Sequence, residues 1–148
     1  MNLQDLIKSY VLQGQVTQLA TIQDGKPWVC TVLFDADENL NLYWVSDTDC
    51  RHSQEISNNP QAAAAVAIKT DWPVVGLQFE GVAGTVDDDA ELERALKSYA
   101  KKHDRDEKFV SSVIDGSSGK KVYRLMPDHI QLFSPKDFPD EPKQEWRL

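Results

Sequence analysis

The chain has 148 residues, a net charge of −8, 41% hydrophobic and 27% charged residues. That length suits one domain burying roughly two-thirds of the surface its unfolded form exposes, with no need of a metal or disulfide staple. The acidic balance argues against a general role on DNA, RNA or an anionic membrane, all of which recruit basic surfaces.

Leu3, Leu6, Ile7, Tyr10 and Val11 recur at helical spacing before Gly14, so an amphipathic helix is expected over 2–13. It carries Asp5 and no continuous apolar run, unlike a signal peptide. No stretch approaches the ~20 apolar residues of a membrane span, and the expected location is the cytoplasm. From Val16 the period changes. VTQLATIQ alternates, DGKP (24–27) marks a tight turn, WVCTVLFD is a second strand, DADEN a polar turn and LNLYWVS a third strand. A short helix follows, capped by Thr48 or Asp49 and running from Arg51 to Ser57, until Asn58-Asn59-Pro60 ends it. Alanine favours helix, yet AAAAVAIK reads as a buried strand, because Pro60 and the DWP turn leave only a strand's length.

VVGLQFEGVAGTV (74–86) is a long strand in which Gly76, Gly81 and Gly84 mark bends, bulges or close backbone approach. The acids at 87–89 open the helix DAELERALKSYAKK, whose terminal charges suit the helix dipole without any metal. A second short helix covers 106–113. KKVYRLMP and DHIQLFS read as a hairpin, and the proline-rich tail 135–148 as a surface run. The expected fold class is mainly β: about six short antiparallel strands in a small barrel over 16–134, with peripheral helices, in a single domain 1–148.

Three stretches bear chemistry. Arg51 and His52 open the short helix, where cations oppose the dipole unless an anion sits nearby. A phosphate there would gain helix N–H groups, a guanidinium fork and an imidazole, with Ser46 and Thr48 as hydroxyl donors. The competing reading is a solvated arginine and a packed histidine. On the second strand Cys30, Val32 and Phe34 share one face and Val29, Thr31 and Leu33 the other. Small residues such as Cys30 and Thr31 leave room for a flat ligand, or the strand is simply buried on both faces. Gly76 and Gln78 share a face that can bond the polar edge of a heterocycle, or mark a bend with a solvated glutamine. Cys30 and Cys50 form no CxxC pair and the three histidines are scattered, so no metal site is expected. Cys50 and His52 stand two apart, a spacing that does not face on a helix, which argues against a cysteine hydrolase. No catalytic acid or base can be named.

The ordered segments LATIQDGKPWVCTVLFDADENLNLYWVSDTDCRHSQEISNNPQAAAAVAI, LQFEGVAGTV and KVYRLMPDHIQLF cover roughly 16–86 and 120–134. Together the chain resembles the pyridoxamine 5′-phosphate oxidase-like family of FMN-binding split barrels. The resemblance implies a six-stranded antiparallel Greek-key barrel and a homodimer with FMN in a groove at its interface. It puts the phosphate on Arg51 and His52, a strand-end hydroxyl on Ser46 beside Val45, and the strand under the flavin on Cys30, Thr31, Val32 and Leu33. Many members carry lysine where this chain has His52. The oxidases' arginine and lysine fall on Cys30 and Asp35, and their glutamine falls on Gly76, with Gln78 on the same face. Their arginine-rich C-terminus is reduced to EWRL, with Trp146 and Arg147. The resemblance therefore implies a cytoplasmic FMN-dependent oxidoreductase of unknown substrate, not a pyridoxamine phosphate oxidase. The alternative is a cofactor-binding or sensing module on the same barrel, holding a deazaflavin, heme or no cofactor.

Overall fold

Asp24 and Gly25 both take positive φ (52° and 73°), the turn geometry that matches the twist of paired strands. They close a hairpin between β1 (Val16–Gln23) and β2 (Lys26–Leu33). The computed structural model describes residues 1–148. Its other strands are β3 (Asp35–Ala36), β4 (Leu42–Asp47), β5 (Gln61–Lys69), β6 (Val75–Thr85), β7 (Lys120–Phe133) and β8 (Lys143–Arg147). The helices are α1 (Leu3–Val11), α2 (Arg51–Asn58), α3 (Asp89–Lys102) and α4 (Glu107–Ile114). None is long and apolar enough to cross a membrane.

The strands form one antiparallel sheet in the order β2-β1-β5-β6-β7-β4-β3, with β8 beside β7. Alternation decides its curl. Leu19, Ala62, Ala64, Val66, Leu77 and Phe79 point to one face, and the sheet wraps them around Phe34, Leu42, Trp44, Leu125 and Leu132. Helix α1 adds Ile7, Tyr10 and Val11 to this core. Gly14 follows where the chain must pass close: a Cβ there would fall 2.6 Å from the Val66 side chain. Helices α3 and α4 cover a second cluster built on Tyr43, Val86, Leu96, Tyr99, Phe109 and Val122.

The sheet has eight strands, not six. The segment read as a hairpin over 120–134 is the single strand β7, paired with β6 from Tyr123 to Phe133. The register slips where Glu80 opposes His129 and Gly81 opposes Pro127, leaving Asp128 unpaired in a bulge. A bulge absorbs a proline that cannot donate to the ladder, so Pro127 bends the strand without ending it. Gly81 is required there, since a Cβ would fall 2.0 Å from the Met126 carbonyl oxygen. Gly81→Ala is expected to destabilise the protein by about 1–3 kcal/mol through overpacking, read as a lower urea midpoint.

The tail lies at the surface, and part of it is the strand β8. Ser134 N–H donates to Pro142 O (2.9 Å) and Leu148 N–H to Asp128 O (3.0 Å), framing β8 against β7. Trp146 packs on the main core, and Tyr10 O–H donates to Asp137. His129 lies between Glu80 (Nδ1–Oε1 3.0 Å) and Glu145 (Nε2–Oε1 3.2 Å), joining β6, β7 and β8.

Candidate functional site

Three of the four helices begin alike. Asn2, Asp88 and Asp106 each accept a first-turn backbone N–H, at 2.8, 2.9 and 2.9 Å, and each helix has an acid in that turn. Helix α2 differs. Its N-cap is Cys50, not Thr48 or Asp49, and it makes no side-chain cap bond. The first turn has no acid and opens with Arg51 and His52. A missing cap costs about 1 kcal/mol, and it leaves N–H donors and the positive dipole end facing outward.

The start of the helix borders a groove of about 340 Å³. One wall is Thr31, Val32 and Leu33 of β2, and the other is Val45, Ser46 and Asp47 of β4. Cys50, His52, Tyr99 of α3 and Lys120 of β7 complete the lining. Strands β2 and β4 stand far apart in the sheet order and are unpaired with each other. The curl brings them together, and the groove is the seam between them.

His52 Nε2 and Ser46 Oγ are hydrogen-bonded at 2.8 Å. Burial holds the His52 pKa below its ordinary value, so the imidazole is neutral at neutral pH. The Cys50 thiol donates to Asp47 O (3.0 Å) and lies 3.4 Å from His52 Nε2. The two-apart spacing does not keep this pair apart, because Cys50 is the cap and lies outside the helix. Lys120 Nζ is 3.0 Å from Asp47 Oδ1. Thr31 O–H donates to Gln18 Oε1 at 2.6 Å.

The structure thus gathers Thr31, Val32, Leu33, Val45, Ser46 and His52. It places the other candidates elsewhere. Cys30 turns toward the core side, where burial and then the nearby Cys50 push its thiol up to about 11. Arg51 lies on the flank: its Nε donates to Glu55 Oε2 (2.8 Å) and its guanidinium stacks 4.0 Å over Trp28. Glu55 also accepts from Thr21 O–H at 2.8 Å, and the Arg51 bond holds its carboxyl below the usual range. Gly76 and Gln78 line a separate concavity of about 580 Å³ between β5, β6 and β7. The residues unassigned from sequence are Asp47, Cys50, Tyr99 and Lys120. Asp47 and Cys50 adjoin named residues. Lys120 is signalled only by the β4–β7 register, in which it opposes Asp47.

A curled antiparallel sheet with an open seam and a groove in it defines a split barrel. A family model described as "Pyridoxamine 5'-phosphate oxidase" matches residues 3–134, and the chain belongs to that family. The comparison with curated proteins returns no match. Similar solved structures include a heme binding protein from Mycobacterium smegmatis (TM-score 0.78, 15% identity, covering 99% of this chain and 58% of that one). General Stress Protein 26 from Bacillus anthracis has a TM-score of 0.71 and 17% identity, with 100% of each chain covered. The heme storage protein of Vibrio cholerae has a TM-score of 0.63 and 24% identity, covering 86% of this chain and 91% of that one. At these identities the likeness is one of fold.

Proposed function

We propose that the protein is a cytoplasmic, homodimeric FMN-binding oxidoreductase whose substrate is not pyridoxamine phosphate. The observation that carries this reading is the groove in front of the uncapped start of α2, with Ser46 and His52 hydrogen-bonded at its edge. Uncapped N–H groups, a hydroxyl and an imidazole fit a phosphate. The β2 wall, exposed at Leu33 and Thr31, fits a flat ring. When bound, flavin supplies hydride and electron transfer, while the protein supplies position and exclusion of water. The chain's own residues hold the phosphate at Ser46, His52 and the α2 N–H groups, and offer Thr31 and Leu33 to the ring.

The volume lies at the low end of the roughly 300–1,000 Å³ of small-molecule sites, as expected of half a site. A second copy supplies the rest. The outer face of β2, β1 and β5 carries Val29 and Leu33, Val16 and Ala20, and Ala63 and Ala65, and Val29 is 57% exposed. Gln18 and Gln78 flank Ala65 in register on that face. Face-to-face pairing of two copies is how Gly76 and Gln78 join the cofactor site. Asp35, at the oxidases' lysine position, is buried and accepts from Ser98 O–H of α3 at 2.5 Å. It anchors a helix, which supports a substrate other than theirs. Unpaired Cys30 and Cys50 suit a reducing compartment.

A second reading, heme in the same groove, draws on Cys50 and His52, both of a type that ligates heme iron. Titration of the purified protein with FMN and with hemin separates the two. Quenching of flavin fluorescence on binding is expected. A Soret shift with hemin and no response to FMN overturns the flavin reading.

A further inference from the structure

The groove needs a permanent positive charge if it is to tell a phosphorylated flavin from an unphosphorylated one. Two nearby side chains do not provide it. Arg51 sends its Nε to Glu55 and its guanidinium over Trp28, and it is not part of the lining. His52 is half-buried and hydrogen-bonded to Ser46. Lys120 is the one lysine or arginine in the lining. It is the first residue of β7, opposite Asp47 at the end of β4. The strand pair is pinned beside it, because Thr48 N–H donates to Gly119 O at 3.2 Å. The lysine side chain is 37% exposed and that of Asp47 51%, so their ion pair is a weak surface one. An ammonium held so loosely can be shared with, or drawn onto, an incoming anion.

We propose that Lys120 is the fixed cation of the groove and selects FMN over riboflavin, with Asp47 as its resting partner. This rests on the flavin reading above. It also accounts for a histidine at position 52: the charge that many family members carry at that position comes here from across the β4–β7 ladder. Asp47 then acts in the opposite sense, since its carboxylate competes with phosphate for the same ammonium.

The test is calorimetric titration of the full-length protein and its Lys120→Met, Lys120→Arg, Asp47→Asn and Lys121→Met variants with FMN and with riboflavin. Thermal melts confirm that each variant is folded. Lys120→Met is expected to weaken FMN about tenfold, the size of one charge-assisted hydrogen bond. Riboflavin affinity stays unchanged. Lys120→Arg retains most of the FMN affinity, Asp47→Asn raises it, and Lys121→Met leaves it unchanged. If Lys120→Met weakens both flavins equally, or neither, the assignment of Lys120 is overturned while the flavin reading stands. If the unaltered protein binds neither flavin, the flavin reading falls and this inference falls with it.

Discussion

Ala65→Arg is expected to convert the protein from a dimer to a monomer and to abolish FMN binding. In sedimentation the mass should fall from about twice the chain mass to the 16.7 kDa of one chain. Ala65 sits in the middle of the uncovered sheet face, between Gln18 on β1 and Gln78 on β6. On one side of the sheet Leu19, Ala64, Val66 and Leu77 are buried in the core. On the other, small and apolar side chains meet no helix. A guanidinium there holds two copies apart and would bury an unpaired charge if they closed, which is strongly unfavourable. It does not touch the core, so the thermal transition of the variant should persist. A monomer that still binds FMN at full affinity would show that one protomer completes the site.

FMN affinity is expected to rise as pH falls through the range near neutrality, and His52 is the reason. In the free protein burial depresses its pKa below the ordinary ~6.5. A phosphate dianion beside it favours the imidazolium and raises the pKa in the complex. Between those two values the complex binds more protons than the free protein, so binding strengthens as pH falls and is level above the higher value. The other ionisable groups facing the groove are Asp47, Cys50, Tyr99 and Lys120. Among ordinary side chains histidine alone changes charge across pH 5–8. The span of the effect is about 10–100-fold, that of a hydrogen bond gaining charge. Near pH 6 the phosphate itself takes a second proton, which caps the rise. His52→Lys should bind FMN tightly at pH 8 with a flat profile, and His52→Ala weakly with a flat one. A profile unchanged by His52→Ala would remove this residue from the phosphate site.

The local pattern made most elements legible. Alternation with DGKP and DADEN turns marks β1, β2 and β4, and Asn59-Pro60 marks the end of α2. These signals act over a few residues, so the chain states them directly. Strand β8 was not legible: KQEWR is short and follows Pro139 and Pro142, and it becomes a strand only because β7 offers an edge at His129–Phe133. Pro127 looked like a break because its cost is local, whereas the bulge that absorbs it depends on Gly81, 46 residues earlier.

The candidate site divides in the same way. Sequence alone placed two cations at the start of a short helix and a hydroxyl at the end of the strand before it, since capping and dipole rules are local. Tertiary structure decided what each contacts. The curl of the sheet brought β2 to β4 and made the groove. Buried Glu55, four residues on in the helix and bonded to Thr21 of β1, drew Arg51 onto the flank. Burial lowers the His52 pKa, and the β4–β7 register sets Lys120 opposite Asp47. Side-chain charge and position depend on what surrounds the group after folding, and those surroundings come from residues distant in the chain.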